Sequence, residues 1–150
     1  MTEESIKIEA YVEIEAPPAH VYAVFAGLDH WRAALPDVLD VKVLYDDGNH
    51  QEFLMTVERP NGAETIRGIR YLDGSHEIEL FQPVPPPGFK KMCGVWRFTQ
   101  HGGHTEVQAT RQFQLTEDNP ISAAEAVKKL REFLQTNLRL FKDYVEYGMH

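Results

Sequence analysis

The sequence has one cysteine, Cys93, among its 150 residues, so no disulfide can form within the chain and a disulfide-stapled fold is excluded. It has no apolar run of membrane-spanning length and no apolar leader with a basic start. A cytoplasmic protein is therefore expected. It also lacks positive charge: 15 Lys and Arg against 23 Asp and Glu leave a net charge of −8. Nucleic acid and anionic membrane are thereby disfavoured as main partners, because both select a basic face. No Gly-rich phosphate loop or dinucleotide fingerprint occurs. Neither a repeat, a low-complexity tract nor a linker is present, so one domain over residues 1–150 is expected, long enough to bury a sizeable core.

What is present is strongly patterned. Residues 119–150 read as one long amphipathic helix, with Asn119-Pro120 as N-cap and first helical position. Val127, Leu130, Leu134, Leu138, Phe141 and Val145 form a single apolar stripe. Lys128, Lys129, Arg131, Glu132, Arg139, Lys142 and Glu146 occupy the other side. A one-sided helix needs a partner surface. Upstream, residues 5–15 alternate apolar and polar as a half-buried strand does, and two short helices are expected at 19–26 and 29–35.

From residue 38 onward, turn signals divide the chain into a meander. They are Asp46-Asp47-Gly48-Asn49, Pro60-Asn61-Gly62, Asp73-Gly74-Ser75, the proline cluster at 83–88 and Gly102-Gly103. The strands between them are expected at 38–45, 51–59, 64–72, 76–81, 89–100 and 105–116. The reading is thus α+β: a curved seven-stranded antiparallel sheet wrapped round a long C-terminal helix. One helix cannot cover the whole concave face of such a sheet, so an internal cavity is expected.

Polar residues that share parity with the apolar face are candidates for that cavity. Arg111 falls in line with Val107, Ala109 and Phe113. Over 64–72 either face could be the inner one, Ile66, Gly68, Arg70 and Leu72 or Thr65, Arg67, Ile69 and Tyr71, and the first is chosen because Ile66 and Leu72 are the better core residues. His76 and Gln82 fall in line with Ile78 and Leu80, and Met92, Gly94, Trp96 and Phe98 share a face. A guanidinium held inside stays charged and presents five fixed donors, which require a ligand oxygen, an internal carboxylate or backbone carbonyls. Trp31 and Trp96 are aromatic wall candidates. His101-Gly102-Gly103-His104 has the outline of a metal pair, but no third ligand lies near it in sequence, and neither a metal nor a cofactor is called for. Cys93 has outward parity and no basic partner, which argues against a nucleophile.

Several motifs resemble those of the START-like, helix-grip superfamily, and within it the polyketide aromatase/cyclases of the tetracenomycin type. They are Val12-x-Ile14-x-Ala16-Pro17 leading to Val21-Tyr22, Trp31 with Pro36, Arg70-Tyr71-Leu72-Asp73, and the span from Ile78 to Trp96 with Gln82, Pro87, Met92, Gly94 and Trp96 in place. The resemblance implies a pocket that folds a poly-β-ketone carried on an acyl carrier protein and promotes aldol cyclisation and dehydration. It implies a catalytic role for Arg70. His76 is added as proton acceptor on its parity, with Trp31, Gly68, Gln82, Met92, Trp96, Arg111 and Phe113 as substrate-binding residues. Lys90 and Lys91, beside the proline cluster, are the expected carrier-docking pair, with Arg97 adjoining and Arg32 as an alternative. Where family members are rich in arginine around position 70, this chain has Gly68, Ile69 and Tyr71, and Phe81 precedes the glutamine. The alternative reading is a non-catalytic carrier or sensor of an apolar ligand such as a quinone, lipid or aromatic.

Overall fold

Strict alternation makes the strands and one-sided stripes make the helices, and the computed structural model, which describes residues 5–60, 62–119 and 121–148, assembles them in the expected order. They are β1 (Ile6–Ile14), α1 (Pro18–Ala26), α2 (Leu28–Ala34), β2 (Val38–Asp46), β3 (His50–Arg59), β4 (Gly62–Leu72), β5 (Glu77–Phe81), β6 (Phe89–His101), β7 (His104–Leu115) and α3 (Ala123–Tyr147). The seven strands form one antiparallel sheet in the order β1-β7-β6-β5-β4-β3-β2. The first and second strands are therefore its two edges, and α1 and α2 bridge them. Register shifts interrupt the β2–β3 ladder at Val38/Asp40 and Val43/Tyr45 and the β6–β7 ladder at Phe89/Lys91. Such bulges bend the strands that carry them and help the sheet to curl.

The α3 stripe buries Ala126, Leu134, Leu138 and Phe141 against the concave face, with β1 as its main neighbour. Phe25 of α1 stacks on Phe141 at 4.2 Å, which joins the short helix to the long one. The start of α3 differs from the sequence expectation. Ser122 is the N-cap, its hydroxyl accepting from the Glu125 amide at 3.1 Å. Ser122-x-x-Glu125 is a capping-box sequence. Asn119 instead ties the preceding turn to the proline loop, its Nδ2 donating to Gly88 O at 2.6 Å and its Oδ1 accepting from Ile121 N at 2.9 Å. Pro120, expected at the first helical position, lies outside the described residues, as do Asn61 of the β3–β4 turn and Met149 and His150. Among the described residues, no helix is long and apolar enough to cross a membrane.

Candidate functional site

Because α3 covers only part of the concave face, a cavity of about 540 Å³ remains between the sheet, α2 and α3. That volume is in the range of small-molecule sites. Phe53, Met55, Leu80, Met92 and Trp96 line it from the sheet, Trp31 from α2, and Leu134, Leu138 and Phe141 from α3. The exposed lining residues Pro36, Asp37, Pro87, Lys129 and Phe133 mark its mouth. Trp31 is fixed by its own indole N–H, which donates to Phe25 O at 3.0 Å, and by edge-on contacts with Trp96 and Phe141 at 5.6 and 5.2 Å.

The two inward arginines have different surroundings. Arg70 is fully buried, and its guanidinium donates to Phe25 O at 2.9 Å, to Ala26 O at 2.7 Å and to Gln51 Oε1 at 2.9 Å. These carbonyls end α1, so Arg70 caps the helix where a cation is favoured. Gln51 completes the cluster by donating to Ala26 O at 3.0 Å. The Trp31, Trp96 and Phe53 rings lie 5.2, 5.8 and 5.9 Å from the Arg70 guanidinium carbon. Those three rings line the cavity and Arg70 does not. Its parity is as expected, but its donors are turned to backbone rather than to the cavity.

Arg111 does line the cavity. Among the described residues its one hydrogen bond runs from Nη1 to Thr110 O at 2.9 Å, and its guanidinium carbon sits 4.9 Å from the Trp96 ring. Gly94, its partner across the β6–β7 ladder, makes this possible. A Cβ at Gly94 would overlap Arg111 Nη1 and come within 2.5 Å of Thr110 O. Gly68 serves Phe53 in the same way, since the far end of the Phe53 ring occupies the place of a Cβ there from the opposing strand. Burial pushes the Arg70 guanidinium down to about 9 and that of Arg111 to about 10. Both remain cationic at neutral pH.

Gln82, Met92, Trp96, Trp31 and Gly68 all line the cavity, and Gln82 Oε1 is buried with no hydrogen-bond partner among the described residues. A buried acceptor left in this way is rare and suits a ligand donor. Two assignments fall outside. His76 is exposed on the turn before β5, where Asp73 Oδ1 accepts from the amides of Ser75, His76 and Glu77 at 2.9, 2.8 and 3.0 Å. That cluster of bonds keeps His76 out of the strand, so parity does not apply to it. Phe113 is core, packed edge-on against Phe89 at 5.6 Å, and Phe89 is the one that lines the cavity.

Lys90 and Lys91 are exposed at the start of β6, on the bulge that lets both Phe89 and Met92 face inward. Arg97 is held by Glu77 at 2.9 Å, and Arg32 is exposed on α2. Sequence parity overlooked three contributors. Gln51 alternates with Phe53, Met55 and Val57 and was legible on that ground. Arg59 shares that parity and Glu64 that of Ile66 and Gly68, so this pair, 3.1 Å apart, was legible too, whereas Asp37 belongs to the wall only through tertiary approach. Outside the cavity lining, Glu13 of β1 meets the His101/His104 pair, supplying the third ligand-type group that the local sequence lacks. Cys93 faces outward, 3.8 Å from Gln112 O.

A curled antiparallel sheet gripping one long helix around a mostly apolar cavity, whose wall carries the carboxylate-paired Arg59 and the buried Arg111, defines a helix-grip fold with an internal pocket. The chain belongs to the polyketide cyclase/dehydrase and lipid transport family, whose model matches residues 5–146. It is 28% identical over 131 residues to the granaticin polyketide synthase bifunctional cyclase/dehydratase of Streptomyces violaceoruber, covering 86% of this chain and 39% of that protein. It is 26% identical over 124 residues to the actinorhodin counterpart of Streptomyces coelicolor, covering 82% and 37%. The chain thus spans about two fifths of the length of these curated relatives. In fold it is similar to the di-domain ARO/CYC BexL of the BE-7585A pathway, with a TM-score of 0.83 at 23% identity over 97% of this chain and 50% of that one. It is also similar to the Zhui aromatase/cyclase of Streptomyces sp. R1128, with a TM-score of 0.78 at 20% identity over 95% and 92%.

Proposed function

We propose that the chain is a polyketide cyclase/dehydratase that folds a poly-β-ketone in the cavity and closes a ring by intramolecular aldol addition and dehydration. The observation that carries this reading is Arg111, a cation on an otherwise mostly apolar wall, stacked on Trp96 with one hydrogen bond to backbone. In the reaction, a methylene between two carbonyls loses a proton, and its carbon bonds to a second carbonyl carbon. Charge develops first on the enolate oxygen and then on the attacked oxygen, which takes up a proton. Water then leaves, and the ring becomes aromatic. A fixed donor in a site from which water is excluded stabilises both oxyanions, by about 3–4 kcal/mol for a well-placed group. The aromatic walls hold the chain so that the reacting carbons meet, which contributes further.

With His76 outside the cavity, the lining carboxylates are Asp37 and Glu64, and Glu64 is engaged by Arg59. Proton removal in this scheme falls to Asp37 at the mouth or to water entering past it. Arg70 is here a positioning residue that fixes α1 and the Trp31–Trp96 wall. The substrate arrives on an acyl carrier protein, which docks at Lys90 and Lys91. Assay of a reconstituted polyketide synthase with Arg111→Ala should show cyclisation reduced on the order of 100-fold in a protein that still melts cooperatively. A wild-type product profile from that variant would remove Arg111 from the chemistry. The second reading, a carrier of an apolar aromatic or lipid, draws on the apolar wall itself. It would be favoured by tight retention of such a ligand with no turnover of any poly-β-ketone.

A further inference from the structure

Where β1, β6 and β7 meet, outside the cavity lining, three metal-ligating side chains converge. The two-residue loop Gly102-Gly103 closes β6 onto β7, and Gly102 has φ 61, the left-handed conformation that the first position of a type II′ turn requires. His101 and His104 thereby become direct cross-strand partners. On the far side of β7, β1 runs in the register Glu13↔Glu106 and Ile14↔Thr105. This carries the Glu13 carboxylate to both imidazoles. Its Oε1 lies 2.6 Å from His104 Nε2, and its Oε2 lies 3.4 Å from His101 Nδ1. One ligand atom from each of the three residues lies within 4.8 Å of those from the other two.

We propose that Glu13, His101 and His104 form a binding site for a divalent transition ion of the zinc type, with water completing its coordination. Two imidazoles and one carboxylate are the donor set of open zinc sites. Imidazole nitrogen also selects such ions over magnesium and calcium, which prefer oxygen alone. Around a tetrahedral ion with bonds of 2.0–2.2 Å, ligand atoms stand roughly 3.4 Å apart, so the observed spacings need adjustment of about an ångström. All three backbones are held in ladder pairing, so only side-chain torsions have to move. The side chains are 41–46% exposed, which leaves them free to turn and gives the ion a path in. Bound there, the ion joins the edge strand β1 to the tip of the β6–β7 hairpin. None of the three residues lines the cavity, so the inference is independent of the proposed reaction.

Calorimetric titration of the untagged, metal-free chain with zinc chloride tests it, run beside His101→Ala, His104→Ala and Glu13→Gln, with His76→Ala as a control histidine elsewhere on the surface. The expected result is a saturable isotherm in the micromolar range with a single ion per chain. Each site substitution should weaken it at least about tenfold, whereas His76→Ala should not. Zinc should raise the melting temperature of the wild type and not that of the site variants. Cobalt added to the wild type should give the intense visible bands of a four-coordinate ion, a readout that needs no variant. Absence of saturable zinc binding below millimolar concentration would overturn the proposal. So would affinity that survives all three substitutions, or a cobalt spectrum of the hydrated ion, and the cluster would then be a pair of surface histidine–carboxylate contacts.

Discussion

Arg70 and Arg111 have the same side chain and the same inward parity, and what separates them is the acceptors each one reaches. Arg70 meets two terminal carbonyls of α1 and the amide oxygen of Gln51, so removing it strands the Gln51 oxygen and leaves the Phe25 and Ala26 carbonyls with the Trp31 and Gln51 donors alone. A stranded buried acceptor costs about 1–3 kcal/mol, and the lost packing of the side chain adds to it. For a domain of this size a kilocalorie moves the melting temperature by roughly 2–4 °C. Arg70→Ala should therefore lower it by on the order of 10 °C, and Arg70→Lys should not restore it, because an ammonium cannot reproduce the fork. Arg67, on the opposite parity, pairs with Glu52 at the surface. Arg67→Ala should change stability by no more than about 1 kcal/mol. Thermal melts of the three variants side by side test the assignment. An Arg70→Ala protein as stable as wild type would show that its bonds are not structural.

The β4–β5 turn shows how one side chain can remove another from an element. Asp73 accepts three amides in succession, and the resulting turn carries His76 into solvent. Burial raises the Asp73 carboxyl, but the amides of Ser75, Glu77 and His76 outweigh it and hold the carboxyl below its usual value. A carboxylate whose folded pKa is depressed adds stability that is complete above its unfolded value, near 3.8, and is lost as pH falls through the folded value. Asp73→Asn keeps an acceptor but removes the titration. Wild-type stability should exceed that of the variant at neutral pH, and the two should converge as pH falls below 3.8 and through the depressed folded value. Melting temperatures across that range check this, and parallel curves would show that Asp73 carries none of the acid sensitivity. The same turn explains why a lone histidine with suitable parity is not a cavity base.

At the scale of the whole molecule, net charge and local charge act against each other. On the proposed function, a chain of net charge −8 would repel an acidic carrier at long range, so docking would need a local basic patch. Lys90 and Lys91 lie on the bulge next to Phe89 of the cavity wall. Reversing both to glutamate should slow carrier-dependent turnover at low ionic strength, and the difference should shrink as salt shortens the Debye length. Turnover of a small carrier-free mimic should not change. Equal carrier-dependent rates at low salt would move docking elsewhere, with Arg32 on α2 the next surface to test.

The sequence by itself determined the seven strands, the two short helices and the α3 stripe, because alternation and helical spacing are local consequences of which faces must leave water. It also determined that Gln82, Met92, Trp96 and Arg111 point inward, since parity persists wherever a ladder is regular, whereas residues 64–72 carry apolar side chains on both faces and only Ile66 and Leu72 favoured the Arg70 side. Only the tertiary structure decided what each inward group meets. Arg70 is claimed by the end of α1, a helix some 45 residues earlier, whereas Arg111 is left to the cavity because Gly94 across the ladder gives it room. Parity failed at His76, where side-chain acceptance by Asp73 broke the strand. At the N-terminus of α3 it was competition for Asn119 that misled the reading, since the proline loop holds that side chain and Ser122 takes the cap. The meeting of Glu13 with His101 and His104 was equally illegible, because it depends on the pairing of β1 with β7, and strand pairing is set by how the whole sheet closes on its helix.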